Sequence, residues 1–309
     1  MRRTLQEQIQ ANKRLSLFYA ALLVVLLTVL GTVIVGSYDP KLWPVGLVGS
    51  LLLGVGSAIF ARFQGPALIL RMSGVREATG PEDRQLRNVT EEIAIAAGLP
   101  LPTIMVIDDS APNAFATGSD PENGVIAVTT GLLAKLDRDE LQGVIAHEMA
   151  HIRNYDIRFM STICIIAGLI PLISDFYLHS LWYGGGRRRD NDRDNNLGPI
   201  LMVIGIVLAI LAPVFSKLLE LAVSRRREFL ADATAAELTR YPEGLARALQ
   251  KIARDPEPLE AANRATQHLY IVNPLKMAER AQSLFSTHPS TDERVRALMG
   301  LAGNPTLEN

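Results

Sequence analysis

Two long apolar runs lie near the start of the chain, residues 15–37 and 42–61, and neither carries a charged side chain. A helix needs about 20 such residues to cross a bilayer, so both predict membrane-spanning helices. Only "YDPK" separates them, which predicts a tight hairpin, and the Gly and Ser positions of the second run permit close helix contact. Arg2, Arg3, Lys13 and Arg14 would suit a signal peptide, but the first apolar run is too long for one and no small-residue cleavage site follows. The run is read as a retained anchor. Two weaker runs come later: residues 159–178, with Pro171 and Asp175, and residues 197–219, with Pro213 and Lys217. The Gly-rich, charged stretch "SLWYGGGRRRDNDRDNN" between them has nothing to bury and predicts a solvated loop.

The rest of the chain changes period. "TIMVID", "NAFATG" and "GVIAVTT" are short, rich in β-branched residues and bounded by Pro, Gly, Asp or Asn, so they predict three strands. "SDPENG" between the last two is turn chemistry and predicts a hairpin. Asp137, with Glu140 three residues on, forms a capping box, and Leu141, Val144 and Ile145 follow at helical spacing. A helix over about 138–153 follows. Leu245, Leu249 and Ile252 mark a packed helix, "SRRREFLADATAAEL" reads as another, and Ser290 with Glu293 caps a last one. The expected fold class is α+β, mainly α: a polytopic membrane protein with up to four transmembrane helices and a domain with a small sheet.

Charge and composition refine this picture. The 309 residues carry 31 basic and 32 acidic side chains, so no charge bias points to nucleic acid. Basic residues before the first apolar run, and Arg62, Arg71 and Arg76 after the second, put the N-terminus and residues 62–158 in the cytoplasm. Arg187, Arg188, Arg189 and Arg193 would then be external if the two later runs both cross, an exception to the charge rule; whether residues 159–219 span or re-enter stays open. The single cysteine, Cys164, lies in an apolar run and is assigned no role. Asp156 is expected to cap or to pair with a neighbouring basic residue.

The chemistry lies in "VIAHEMAHIRN". Residues four apart share a helix face, so His147 and His151 can bind one ion, and Glu148, turned about 100° from His147, sits beside it without ligating. This is H-E-x-x-H: neutral imidazoles suit Zn²⁺, whose Lewis acidity activates water, and the carboxylate accepts the water's proton. A catalytic zinc needs a third protein ligand and one open position. The downstream candidates are Glu220, Glu228, Asp232, Glu237, His268 and His288. Glu228 and Asp232 are four apart on one helix face, which permits Glu228 to ligate while Asp232 accepts a hydrogen bond from the far nitrogen of a ligating histidine.

"HEMAH", "SRRREFLADATAAEL", "THPSTDERVRAL" and the upstream "NAFATG" together resemble the HtpX-type membrane zinc metalloproteases, relatives of the CAAX prenyl proteases, over nearly the whole chain. The resemblance implies a zincin-like domain with one Zn²⁺ per chain held by His147, His151 and Glu228. It makes Glu148 the catalytic base and Asp232 the partner of a ligating histidine, His147 by expectation. It puts His288 in the active site, as a catalytic group stabilising the oxyanion, with Arg294 nearby as support. It makes Asn113, Ala114, Phe115 and Ala116 an edge strand to which a substrate backbone could add. It also implies membrane or misfolded protein substrates, a stress-response role in quality control, and a multi-pass protein of the cell (inner or plasma) membrane with its site facing the cytoplasm. The expected organisation is a membrane hairpin at 1–64, protease parts at 65–158 and 220–309, and a second hairpin at 159–219. CAAX-type processing of lipidated C-termini and a non-catalytic zinc-stabilised scaffold are the alternatives. The CAAX enzymes have more membrane segments, and a scaffold has no use for Glu148.

Overall fold

The computed structural model describes residues 5–183, 197–262, 266, 269–272 and 289–302. The chain divides into two compact units, one of residues 14–61 and 162–220 and the other of the remainder.

The first unit is helical. It takes its residues from α1 (Leu5–Tyr38), α2 (Trp43–Met72), α6 (Asp156–Tyr183) and α7 (Leu197–Thr239). Among the described residues, three stretches are long and apolar enough to cross a membrane: Ala20–Tyr38, Pro40–Met72 and Pro199–Ser216. The third apolar run of the sequence lies in α6, which is not among them. Small residues set the α1–α2 spacing, as the sequence suggests: a Cβ on Gly31 would lie 2.6 Å from Cβ of Ser50, and one on Gly46 would lie 2.8 Å from Cβ of Val35. The Asp39 side chain caps the turn between the helices through the backbone N–H of Lys41, at 2.9 Å. The Tyr177 hydroxyl lies 3.0 Å from that of Ser37, so a polar group among apolar helices has its partner.

The second unit contains a four-stranded sheet ordered β1–β2–β4–β3, with β1 Val75–Glu77, β2 Thr103–Ile107, β3 Ala114–Gly118 and β4 Gly124–Thr129. The β3–β4 hairpin is antiparallel as predicted, pairing Ala114 with Val128 and Ala116 with Ile126, while β2 runs parallel to β4. The short strand β1 has no sequence signature and was not expected. Each sheet face has its own core. Ala114, Ala116, Ile126 and Val128 pack with α3 (Arg84–Ala97), α5 (Arg138–Arg153) and α8 (Pro242–Arg254). Phe115, Ala127 and Ile107 pack with Ile69, Met160, Leu259 and Tyr270. This double burial explains why "NAFATG" does not alternate.

The α5 helix is held at three levels. Asp137 and Glu140 cap it reciprocally, each bond 2.9 Å. The carboxylate of Glu140 also receives Lys251 of α8 at 2.6 Å. At Gly143 the two helices touch so closely that a Cβ would lie 2.6 Å from the backbone N of Leu245. A short helix α4 (Thr130–Lys135) leads into α5, and α9 (Thr291–Leu301) starts at the Ser290–Glu293 capping box. One expectation is corrected. The fourth apolar run and "SRRREFLADATAAEL" are not separate helices but one uninterrupted helix of 43 residues, α7. Pro213 lies inside an apolar stretch without ending it, and no Gly or cap separates the apolar part from the charged part.

Candidate metal centre

The α5 helix buries His147, Glu148 and His151, and α7 brings Glu228 and Asp232 to them, both about 2% exposed. The two Nε2 atoms lie 3.1 Å apart. Glu228 closes the triangle: Oε2 is 3.5 Å from Nε2 of His147 and Oε1 is 3.6 Å from Nε2 of His151. Ligands about 2.0–2.1 Å from a tetrahedral ion stand roughly 3.3–3.4 Å from one another, so these three donors have the spacing of a shared cation. Among the described residues this is the group of His, Cys, Asp and Glu able to hold a metal ion.

The outer nitrogens are also engaged. His147 Nδ1 lies 3.0 Å from Asp232 Oδ1, and His151 Nδ1 lies 3.1 Å from Asp156 Oδ2. A carboxylate on each Nδ1 holds the proton there and turns the Nε2 lone pair inward. Arg294, on α9, is fully buried. It grips Asp232 with two bonds, Nε to Oδ2 at 2.9 Å and Nη2 to Oδ1 at 2.7 Å. Its Nη1 donates to the Ile271 carbonyl at 2.7 Å and lies 3.1 Å from Glu228 Oε2.

The electrostatics call for a cation. Three carboxylates (Asp156, Glu228, Asp232) gather with two guanidinium groups (Arg227, Arg294) around the buried Glu148, a surplus of negative charge that a cation would offset. In the metal-free centre, burial works against a charged His147. Asp232 and Glu228 outweigh it and raise its pKa to about 9. Burial also opposes ionisation of Asp232, yet Arg294 holds it below the usual carboxylate range. Glu148 goes the other way: burial raises it, His147 and His151 only partly offset this, and Glu228 adds to it. Both its oxygens are buried without a hydrogen-bond partner among the described residues. A carboxylate kept dry and unpaired beside the ligands can take and return a proton.

Of the other expected site residues, Ala114, Phe115 and Ala116 lie on β3, which is the sheet edge, and Asn113 immediately precedes it. Part of that edge is already bonded: Ile271 donates to the Ala114 carbonyl at 2.9 Å, and Asn113 Nδ2 donates to the Val272 carbonyl at 2.9 Å. The Phe115 side chain packs edge-on against Tyr270, so any substrate contact there is through its backbone. Glu237 is exposed. His268 and His288 lie outside the described residues. Asp156 and Arg227 were not among the expected site residues; the expected ion pair at Asp156 exists, with Arg227, and Asp156 also meets His151.

Residues 81–302 match the family described as Peptidase family M48. A curated "Protease HtpX homolog" of Dictyoglomus turgidum is 45% identical over 295 residues, 96% of this chain and 94% of the relative. One of Caldanaerobacter subterraneus is 42% identical over 303 residues, 97% of this chain and 99% of the relative. A similar backbone is found in the crystal structure of S. mikatae Ste24p, with a TM-score of 0.51 and 21% identity over 94% of this chain and 66% of that one.

Proposed function

We propose that this chain, which belongs to peptidase family M48 and is a metallopeptidase with membrane-spanning helices, is a zinc-dependent endopeptidase whose general base is Glu148. The observation that carries this reading is the convergence of His147, His151 and Glu228 beside a buried carboxyl that has no hydrogen-bond partner among the described residues. His147, His151 and Glu228 would hold the zinc, which when bound supplies Lewis acidity to the attacking water and the peptide carbonyl. Glu148 takes the proton of the attacking water and passes it to the leaving amine. Burial raises its pKa above the usual carboxylate range, which favours its holding the proton between the two transfers. Asp232 keeps His147 in the donor tautomer, and Arg294 adds positive charge behind Asp232 and Glu228. The substrate backbone adds along the β3 edge at Asn113–Ala116, and His288 stabilises the oxyanion. The apolar helices and the charge pattern support a site on the cytoplasmic side of a bilayer, where membrane or misfolded proteins of the cell membrane are the substrates.

Glu148 separates this reading from a scaffold that merely keeps a structural zinc. A structural site needs ligands and has no use for a dry acid beside them. The test is Glu148→Gln in the purified chain. Zinc content should stay at the wild-type level while cleavage of an unfolded protein falls by at least about 10²-fold, the low end for loss of a general base. Retained turnover, or lost zinc, refutes the assignment. CAAX-type processing would instead show as activity confined to prenylated C-terminal peptides.

A further inference from the structure

The two imidazoles of the centre are held in matching ways. His147 rests on Asp232, which Arg294 grips. His151 rests on Asp156, and behind Asp156 stands Arg227, with Nε 3.4 Å from Oδ1. We propose that Asp156 and Arg227 are positioning residues: they fix the tautomer and direction of His151 for the metal, as Asp232 and Arg294 do for His147.

The local structure is built for this contact. The α5 helix ends at Arg153 and α6 begins at Asp156, so only Asn154 and Tyr155 separate them. Tyr155 takes φ 60°, a left-handed conformation that is strained for a non-glycine residue. That turn folds Asp156 back onto the last turn of α5, where its Oδ2 reaches His151. Strain of this kind persists only where the surroundings over-determine it. Here Asp156 is 1% and Arg227 4% exposed, and the Arg227 guanidinium lies 3.8 Å over the Phe159 ring. Arg227 also directly precedes Glu228, so one turn of α7 delivers both a ligand and the support of another ligand. A buried carboxylate facing an imidazole N–H on one side and a guanidinium on the other has little freedom to turn, and His151 inherits that rigidity.

This inference rests on the metal-binding reading of the centre, and the test separates the two. Zinc affinity of the full-length chain in detergent is measured by chelator competition, with Co²⁺ absorption as a second readout. The variants are Asp156→Asn, Asp156→Ala and the double variant Asp156→Ala/Arg227→Met, which leaves no unpaired buried guanidinium. The expected order of dissociation constants is wild type, then Asp156→Asn, which keeps an acceptor, then Asp156→Ala. The last should be weaker by about 10–100-fold. The double variant should be weakened to the same extent and show an altered Co²⁺ spectrum. A folded double variant with wild-type affinity overturns the proposal. So does a double variant that fails to fold even in zinc, because the pair would then be holding the fold and not the ligand. Wild-type protein that binds no zinc would instead refute the reading of the centre itself.

Discussion

Replacing Arg294 with Met should damage the metal-free protein more than removal of any surface ion pair. Arg294 is the largest fully buried side chain among the described residues, and its three nitrogens serve Asp232, Glu228 and the Ile271 carbonyl at 2.7–3.1 Å. Met fills much of the volume but leaves two buried carboxylates without their cation. Breaking a buried pair in this way costs about 3–5 kcal/mol, because the orphaned charge cannot recover its water. A control such as Arg138→Met breaks the pair with Glu92, whose side chains are 53% and 46% exposed, and should cost about 0–1 kcal/mol. For a unit of this size each kcal/mol moves the melting temperature by about 2–4 °C, so the loss should be roughly 6–20 °C. The assay is thermal unfolding in detergent with excess chelator, then with zinc. Zinc at 1,000 times its dissociation constant adds about 4 kcal/mol to the folded state, and should recover part of the loss by neutralising the same carboxylates. If Arg294→Met and Arg138→Met melt within about 2 °C of each other in chelator, well below that range, the buried-pair argument fails.

Gly143→Val should destabilise by about 1–3 kcal/mol, since the new side chain meets the backbone of Leu245 and α8 must move. Gly300→Ala, on α9 with nothing within 4 Å of its added Cβ, should stabilise by about 0.5–1 kcal/mol; melting temperatures decide both. In chelator, stability should fall between pH 6.5 and 9 as His147 loses its proton: its folded pKa of about 9 lies above the unfolded value, so its contribution is complete below the unfolded pKa and gone above the folded one. Over the same range zinc affinity should rise with pH, because the metal must displace that proton; flat profiles in both measurements refute the charge accounting.

What could be read from the sequence was what short-range chemistry dictates. The α5 boundaries follow from an Asp137–Glu140 box and a helical apolar period, and the structure returns Arg138–Arg153. The β3–β4 hairpin follows from turn residues between β-branched runs. β1 was illegible because three residues carry no period: Val75–Glu77 is a strand only because β2 offers it an edge. The continuity of α7 was illegible for the opposite reason. A change from apolar to charged composition marks a change of solvent, not an end of helix, and nothing between Leu219 and Ser224 breaks the backbone period.

The site divides along the same line. His147 and His151, and Glu228 and Asp232, are each four apart on a helix, so periodicity alone puts each pair on one face, with Glu148 turned about 100° to the side of His147. Their being brought together could be argued only from the demand of a metal for a third ligand; the structure puts the Glu228 carboxylate 3.5 and 3.6 Å from the two Nε2 atoms. Asp156 obeys no such periodicity. It follows His151 by five residues across a helix break, and only a left-handed Tyr155 turns it back; a tyrosine gives no warning of that conformation as a glycine would. Arg227 was hidden inside a run of three arginines that reads as a membrane-flanking charge cluster. Its burial follows from the neighbour it must serve. Once Asp156 is taken from water to hold His151, its charge requires a partner, and the residue beside Glu228 on α7 is the one within reach.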